Sequence, residues 1–149
     1  MTTILIDGDA CPVKDEAIRV AERHQLPVLI VANSWHRIDH YLVSQIVAAV
    51  GADTADDIIA EKAEPGDVVV TNDIPLAARC LEKGAKPIDP RGRPFEEANI
   101  GMQLAMRELM KGLRETGEIT GGPSGFTKQD RSRFLDGLEK MVQAAKRGR

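Results

Sequence analysis

Six aspartates stand where acid groups could gather around a cation. Asp7 and Asp9 follow the run Thr3-Ile4-Leu5-Ile6, Asp73 follows Val68-Val69-Val70-Thr71-Asn72, and Asp53, Asp56 and Asp57 lie between them in the chain. Carboxylates brought together repel one another unless a cation neutralises them. An all-oxygen donor set with no thiolate or imidazole selects Mg²⁺ or Mn²⁺ rather than zinc. A bound ion of that kind generates hydroxide from water and stabilises charge on a phosphate under attack. Lys14, close in sequence to the first pair, would contact such a phosphate. Each acid also has a plainer use. Asp9 suits the cap of a helix opened by Pro12, Asp53 suits the cap of the next helix, and Asp57 suits a face turned to water. Asp7 and Asp73 are harder to explain this way, because each follows an apolar run where a polar side chain needs a reason.

Those acids depend on the elements that carry them. Thr3 to Ile6 is a short, partly β-branched apolar run and reads as a buried first strand. Pro12 opens a helix in which Val13, Ala17, Val20 and Ala21 recur at helical spacing up to His24. Val28 to Ala32 forms a second strand, so the first thirty or so residues make one strand–helix–strand unit. Ser34 to Asp39 is polar and suits a loop or a helix start. Tyr41 to Val50 fits a helix or a strand equally. Thr54 or Asp53 caps a helix over 55–63, Val68 to Thr71 is a buried strand, Pro75 to Lys83 is a helix stopped by Gly84, and Lys86 to Ile88 is a short last strand. Alternating strands and helices predict an α/β domain with a mainly parallel sheet. In such a sheet ligands collect beyond the carboxyl ends of the strands, where both Asp7 and Asp73 would project. Beyond Arg91 the pattern turns helical. An amphipathic helix is predicted over 96–115, a Gly-rich loop over 116–127 and a final helix over 130–146, with Phe134, Leu135, Leu138 and Met141 on one face. That stripe would pack on its own domain or on a second copy of the chain.

The 149 residues fit one domain, with 91–149 as a helical C-terminal extension. Hydrophobic residues make up 42% and aromatics only 3%, so the core must be aliphatic and aromatic platforms for bases are scarce. No apolar run is long enough to span a bilayer, and the first nine residues do not read as a signal peptide. Two cysteines without a CxxC pattern then suit reduced thiols in a cytoplasm. Net charge is −3, but residues 127–149 carry seven bases and three acids, a net +4, which leaves −7 for the rest. A basic tail including Arg131 and Arg133 could hold a polyanion, or form a solvated, salt-bridged helix.

Other chemistries fit less well. A DxD after a first strand also opens haloacid-dehalogenase phosphatases, in which the first Asp is a nucleophile, but Ala10 and Cys11 depart from that pattern and no later acidic motif with a lysine follows. Cys11 at a helix start would gain thiolate character, which the adjacent carboxylates oppose; both thiols suit an inert, buried state. His36 and His40 have no third ligand near them in sequence and read as surface histidines, and Trp35 reads as a packing residue. Neither a Walker A loop nor a GxGxxG is present.

Asp7-Gly8-Asp9-Ala10-Cys11-Pro12-Val13-Lys14 resembles the opening motif of the YaiI/YqxD-type bacterial family (UPF0178). Gly51 to Asp57, Gly66 to Ala77, and Gly121-Gly122-Pro123 with Asp130-Arg131 resemble its other signatures, so the likeness covers nearly the whole chain. That family is similar in turn to PIN-like domains, metal-dependent nucleases of three-layer α/β/α fold. The resemblance implies a metal site from Asp7, Asp53 with Asp56 or Asp57, and Asp73. It matches Asn72 to the Asn of a Thr-Asn-Asp turn and favours a strand over 45–50. The expectation is a PIN-like nuclease using Mg²⁺ or Mn²⁺ on RNA, with Asp9 in the metal shell and Lys14, Arg131 and Arg133 on the phosphates. The alternative is a binding module with the same fold that recognises nucleic acid or protein without cleaving.

Overall fold

A computed structural model describes residues 2–9, 11–51, 54–117 and 125–148. Five strands, β1 (Ile4–Asp7), β2 (Val28–Ala32), β3 (Val43–Val47), β4 (Val68–Val70) and β5 (Lys86–Ile88), form one sheet in the order β3-β2-β1-β4-β5. Every pairing is parallel. The helices are α1 (Lys14–His24), α2 (Thr54–Lys62), α3 (Ile74–Glu82), α4 (Glu97–Glu115) and α5 (Lys128–Lys146).

A parallel sheet covered on both sides needs apolar residues at consecutive positions, and β1, β2 and β4 supply them. Alternation along each strand then divides the core. Ile4, Ile6, Val28, Ile30, Val68 and Val70 pack with Val13, Ala17, Val20 and Ala21 of the α1 segment and with Phe134, Leu138 and Val142 of α5. Leu5, Val31 and Val69 pack the other way, with Ala55, Ile59 and Ala60 of α2 and Leu76 and Cys80 of α3. The result is three layers, α1 and α5 on one face and α2 and α3 on the other. The apolar stripe of the last helix therefore packs on its own domain. α4 lies outside both layers, against α3, and none of its residues is buried.

Helix ends follow local chemistry. α1 begins two residues after Pro12 and closes on Gln25, which takes a left-handed conformation and donates its N–H to Ala21 and Glu22 carbonyls. α5 opens on a reciprocal capping box between Thr127 and Asp130. Gly92 has φ +86°, and a Cβ there would stand 2.3 Å from the Arg133 carbonyl oxygen; one at Gly137 would stand 2.6 Å from the Gly92 oxygen. These two glycines let the turn after β5 press directly on α5.

The connection from β2 to β3 carries no helix, so Ser34 to Asp39 is loop. The segment after it is strand, starting at Val43 and ending at Val47, earlier than the expected 45–50. As an edge strand it is covered only in part, which explains its mixed sequence. Among the described residues no helix is long and apolar enough to cross a membrane.

Candidate functional site

The chain builds outward from β1 through β2 to β3, then returns to place β4 and β5 on the other side. Strand order therefore reverses between β1 and β4, and the crevice beyond their carboxyl ends is where open α/β sheets bind ligands. The pairing of Ile6 with Val70 sets the next two residues, Asp7 and Thr71, side by side at that crevice. Leu5 and Val69 face α2 and α3, so Asp7 and Thr71, two residues further on, turn to the same side.

Thr71, 2% exposed, links the two acids. Its hydroxyl donates to Asp7 Oδ2 at 2.9 Å and accepts the Asp73 backbone N–H at 3.0 Å. Asp73 caps α3, its Oδ1 accepting the Leu76 N–H at 2.9 Å. Asp7 Oδ1 and Asp73 Oδ2 accept no hydrogen bond among the described residues. Burial raises the Asp7 carboxyl above its ordinary value; the Thr71 hydrogen bond opposes the shift, the charges of Asp73 and Asp9 add to it, and Lys14 opposes it. The crevice thus holds a partly desolvated carboxylate close to two further acids. Thr71→Val is expected to lower unfolding free energy by about 1–3 kcal/mol in urea titration, because it removes one bond and leaves the Asp73 N–H without its acceptor.

Gly8 fixes the path between the first two acids. A Cβ there would lie 2.7 Å from Ile30 Cγ2 and 2.9 Å from Ala32 Cβ, so only glycine lets the chain pass this close to β2. Asp9 follows, exposed, and does not cap α1, whose N-cap is Val13 with no side-chain bond. Both Asp9 oxygens instead accept the Asn33 N–H, at 3.1 and 3.0 Å, fastening β1 to the end of β2. Lys14 donates to the Cys11 carbonyl at 3.0 Å, within range of Asp7. Asn72 is exposed on the turn between Thr71 and Asp73.

The remaining candidates lie elsewhere or are engaged. Asp57 is exposed and paired with Arg79 of α3 at 2.8 Å, and Asp56 sits near Arg79 and Cys80. Arg79 is five residues into α3, about 7–8 Å along the helix from its start. The groups acting on Asp7 are Thr71, Asp73, Asp9 and Lys14, and Asp53 lies outside the described residues. Among the described residues no group of three or more His, Cys, Asp or Glu side chains is placed to hold a metal. Arg131 donates to the Pro12 carbonyl, pairs with Glu16 at 3.2 Å and sits over the Phe126 ring at 5.1 Å. Arg133 is exposed on α5 and lines a different cavity with Lys86 and Arg93.

Burial raises both thiols, Cys80 to about 11, so neither has thiolate character. His40 is half-buried, 3.4 Å from Glu22 and stacked on Tyr41. Trp35 is the clearest departure from expectation. It is 68% exposed rather than packed. The one signal for this in the sequence was its neighbourhood, a polar stretch with no periodic apolar partner.

A family model described as "Uncharacterized BCR, YaiI/YqxD family" matches residues 5–144. The chain is 60% identical to the "UPF0178 protein" of Parvibaculum lavamentivorans, covering 99% of this chain and 97% of that one. It is 56% identical to the "UPF0178 protein" of Rhodopseudomonas palustris strain HaA2, over 99% and 91%. To "UPF0178 protein amb2838" of Paramagnetospirillum magneticum it is 55% identical, over 99% and 98%. No solved structure matches it. With a match across nearly its full length and relatives this similar, the chain belongs to the YaiI/YqxD family.

Proposed function

We propose that this chain is a PIN-like phosphodiesterase that cleaves RNA with Mg²⁺ or Mn²⁺ held at Asp7 and Asp73. The observation that carries the reading is the Asp7–Thr71–Asp73 arrangement at the strand-order reversal, where a partly desolvated carboxylate is linked through one hydroxyl to a second acid. The donor chemistry fits the ion. Mg²⁺ keeps several waters and is commonly held by one or two carboxylates together with phosphate oxygens, so two protein ligands suffice. When bound, the ion would supply water of lowered pKa and charge stabilisation at phosphorus.

The chain's own residues do the rest. Thr71 orients the Asp7 carboxylate and, through the Asp73 N–H, the turn that carries the second acid. Lys14 places a positive charge near Asp7, suited to a phosphate oxygen. Asn72 stands exposed on the same turn as a hydrogen-bonding group. Backbone contacts of this kind give affinity with little sequence preference. The test is a pair of measurements on the full chain. Calorimetric titration should show Mn²⁺ binding that Asp73→Asn weakens by at least about tenfold. Incubation with single-stranded RNA should yield fragments in Mg²⁺ or Mn²⁺ and none in EDTA. Absence of both metal binding and cleavage would end the proposal.

A second reading draws on the acids that do not converge. With Asp57 committed to Arg79, a module that binds nucleic acid or protein without cleaving needs no metal shell. It predicts strand or partner binding that is indifferent to EDTA.

A further inference from the structure

The loop after β2, at the carboxyl edge of the sheet, holds the chain's sole tryptophan out in water. It is not a slack loop. At one end the Asn33 N–H is fastened to Asp9 at 3.0–3.1 Å. Further along, the Gln45 side-chain amide grips both backbone groups of His36, accepting its N–H at 3.0 Å and donating to its carbonyl at 2.7 Å. Ile38 then packs on the core. Trp35 lies between the two pinned points, so its ring is presented by a fixed backbone. In an aliphatic core that could use a large ring, keeping this one outside forgoes apolar burial.

Positive charge stands beside it. Arg37 is exposed and makes no side-chain hydrogen bond or ion pair among the described residues. With Cys11, Lys14, Asp15 and His36 it lines a cleft of about 290 Å³ at the start of α1, two residues along the loop from Trp35. Lys14 connects this cleft to the carboxylates, since its charge acts on Asp7.

We infer that residues 33–38 and the start of α1 form a groove for single-stranded nucleic acid, with one base stacked on Trp35 and the adjoining phosphates held by Arg37 and Lys14. An aromatic face with cations alongside is what an unpaired strand needs, because its bases are free to stack on a side chain. A duplex keeps its bases covered and offers the ring nothing, while its dense charge meets an acidic body. One platform and two cations imply a short footprint. The logarithm of affinity should fall with the logarithm of salt with a slope of about −1.4, at roughly 0.7 per phosphate.

This inference deepens the phosphodiesterase reading by naming the strand state of its substrate, and it has its own readout. Because Trp35 is the sole tryptophan, its emission reports directly on the groove. The full chain in EDTA would be titrated with (rU)12, (dT)12 and a 12-base-pair duplex. Both single strands should quench the emission, or (rU)12 alone if the groove reads the 2′-hydroxyl, and the duplex should not. In anisotropy with fluorescein-labelled (rU)12, Trp35→Ala should weaken binding about tenfold and Trp35→Phe should restore most of it. Arg37→Ala should weaken binding and reduce the salt slope by about 0.7. Circular dichroism melting would confirm that these surface variants fold. Binding without quenching, unchanged affinity in Trp35→Ala, equal affinity for duplex, or no binding would each overturn the groove. Quenching by single strands without hydrolysis in Mg²⁺ or Mn²⁺ would keep the groove and remove the phosphodiesterase. Hydrolysis with Trp35→Ala affinity intact would do the reverse.

Discussion

Replacing Asp7 with Asn should reduce metal-dependent RNA cleavage by about 10³-fold, an effect of the size seen when one preorganised group is lost from a reacting centre. The same substitution should make the metal-free protein more stable. Asn keeps an oxygen to accept the Thr71 hydroxyl but carries no charge to be desolvated or repelled by Asp73 and Asp9. The sign follows from linkage. The folded-state pKa of Asp7 lies above the ordinary aspartate value of 3.8, so the folded chain holds that proton more tightly than the unfolded chain. The stabilising contribution is complete below about pH 3.8 and is lost as pH rises through the folded value, leaving an ionised carboxylate that opposes folding at neutral pH. The stability advantage of Asp7→Asn, taken from urea midpoints, should therefore be present at pH 7 and shrink as pH falls toward 4. Saturating Mn²⁺ should reverse the ranking, because ligand binding stabilises only the chain that retains the site. A variant that loses cleavage yet is destabilised at pH 7 without metal would contradict this account of the crevice.

The second large effect concerns the last helix. Phe134 is fully buried between α5 and the face of the sheet that carries Ile4 and Ile30. Phe134→Ala should cost about 3–5 kcal/mol through lost burial and the cavity left behind. Domains of this size are stable by only about 5–15 kcal/mol, so the urea midpoint should fall by about 2 M. Leu109→Ala in α4 supplies the contrast. Leu109 is 56% exposed, and its removal should change stability by no more than about 0.5 kcal/mol. The two helices are of equal length and both amphipathic in sequence, yet only α5 is a structural layer.

That contrast also marks where sequence reasoning stops. β1, β2 and β4 were legible because strands buried on both faces must be apolar at consecutive positions. β3 was ambiguous because an edge strand is covered only in part, and a short mixed run fits either period. Asp7 and Asp73 stood out as polar residues at the ends of apolar runs. The role of Thr71 did not, because its bond to Asp7 spans 64 residues and exists only through the register of β1 on β4. The bond of Asp9 to Asn33 was hidden for the same reason, since Asn33 is 24 residues away, just beyond the end of β2, and the helix cap that also suited Asp9 is not made. The pairing of Asp57 with Arg79 was not legible either, because it depends on how α2 packs on α3. Trp35 shows the limit of residue type as a guide, because a ring that normally favours the core is held outside by two backbone anchors.

The position of α5 has a consequence during biosynthesis. β1 shares its core with α5, which is made more than a hundred residues later; Arg23 and His24 at the end of α1 bond Glu139 across a similar distance in sequence. All five strands are complete once Ile88 has been added, but α1 covers only part of its face of the sheet, and the rest waits for residues 128–146. At about 5–20 residues per second, that interval lasts roughly 3–12 s. Throughout it the nascent chain lacks Phe134, Leu138 and Val142, so the part of this apolar face that they share with Ile4, Ile6 and Ile30 is left without its cover. Ribosome stalling beyond β5 would prolong this exposure, and fragments ending before Lys128 would be natural clients for a holdase chaperone.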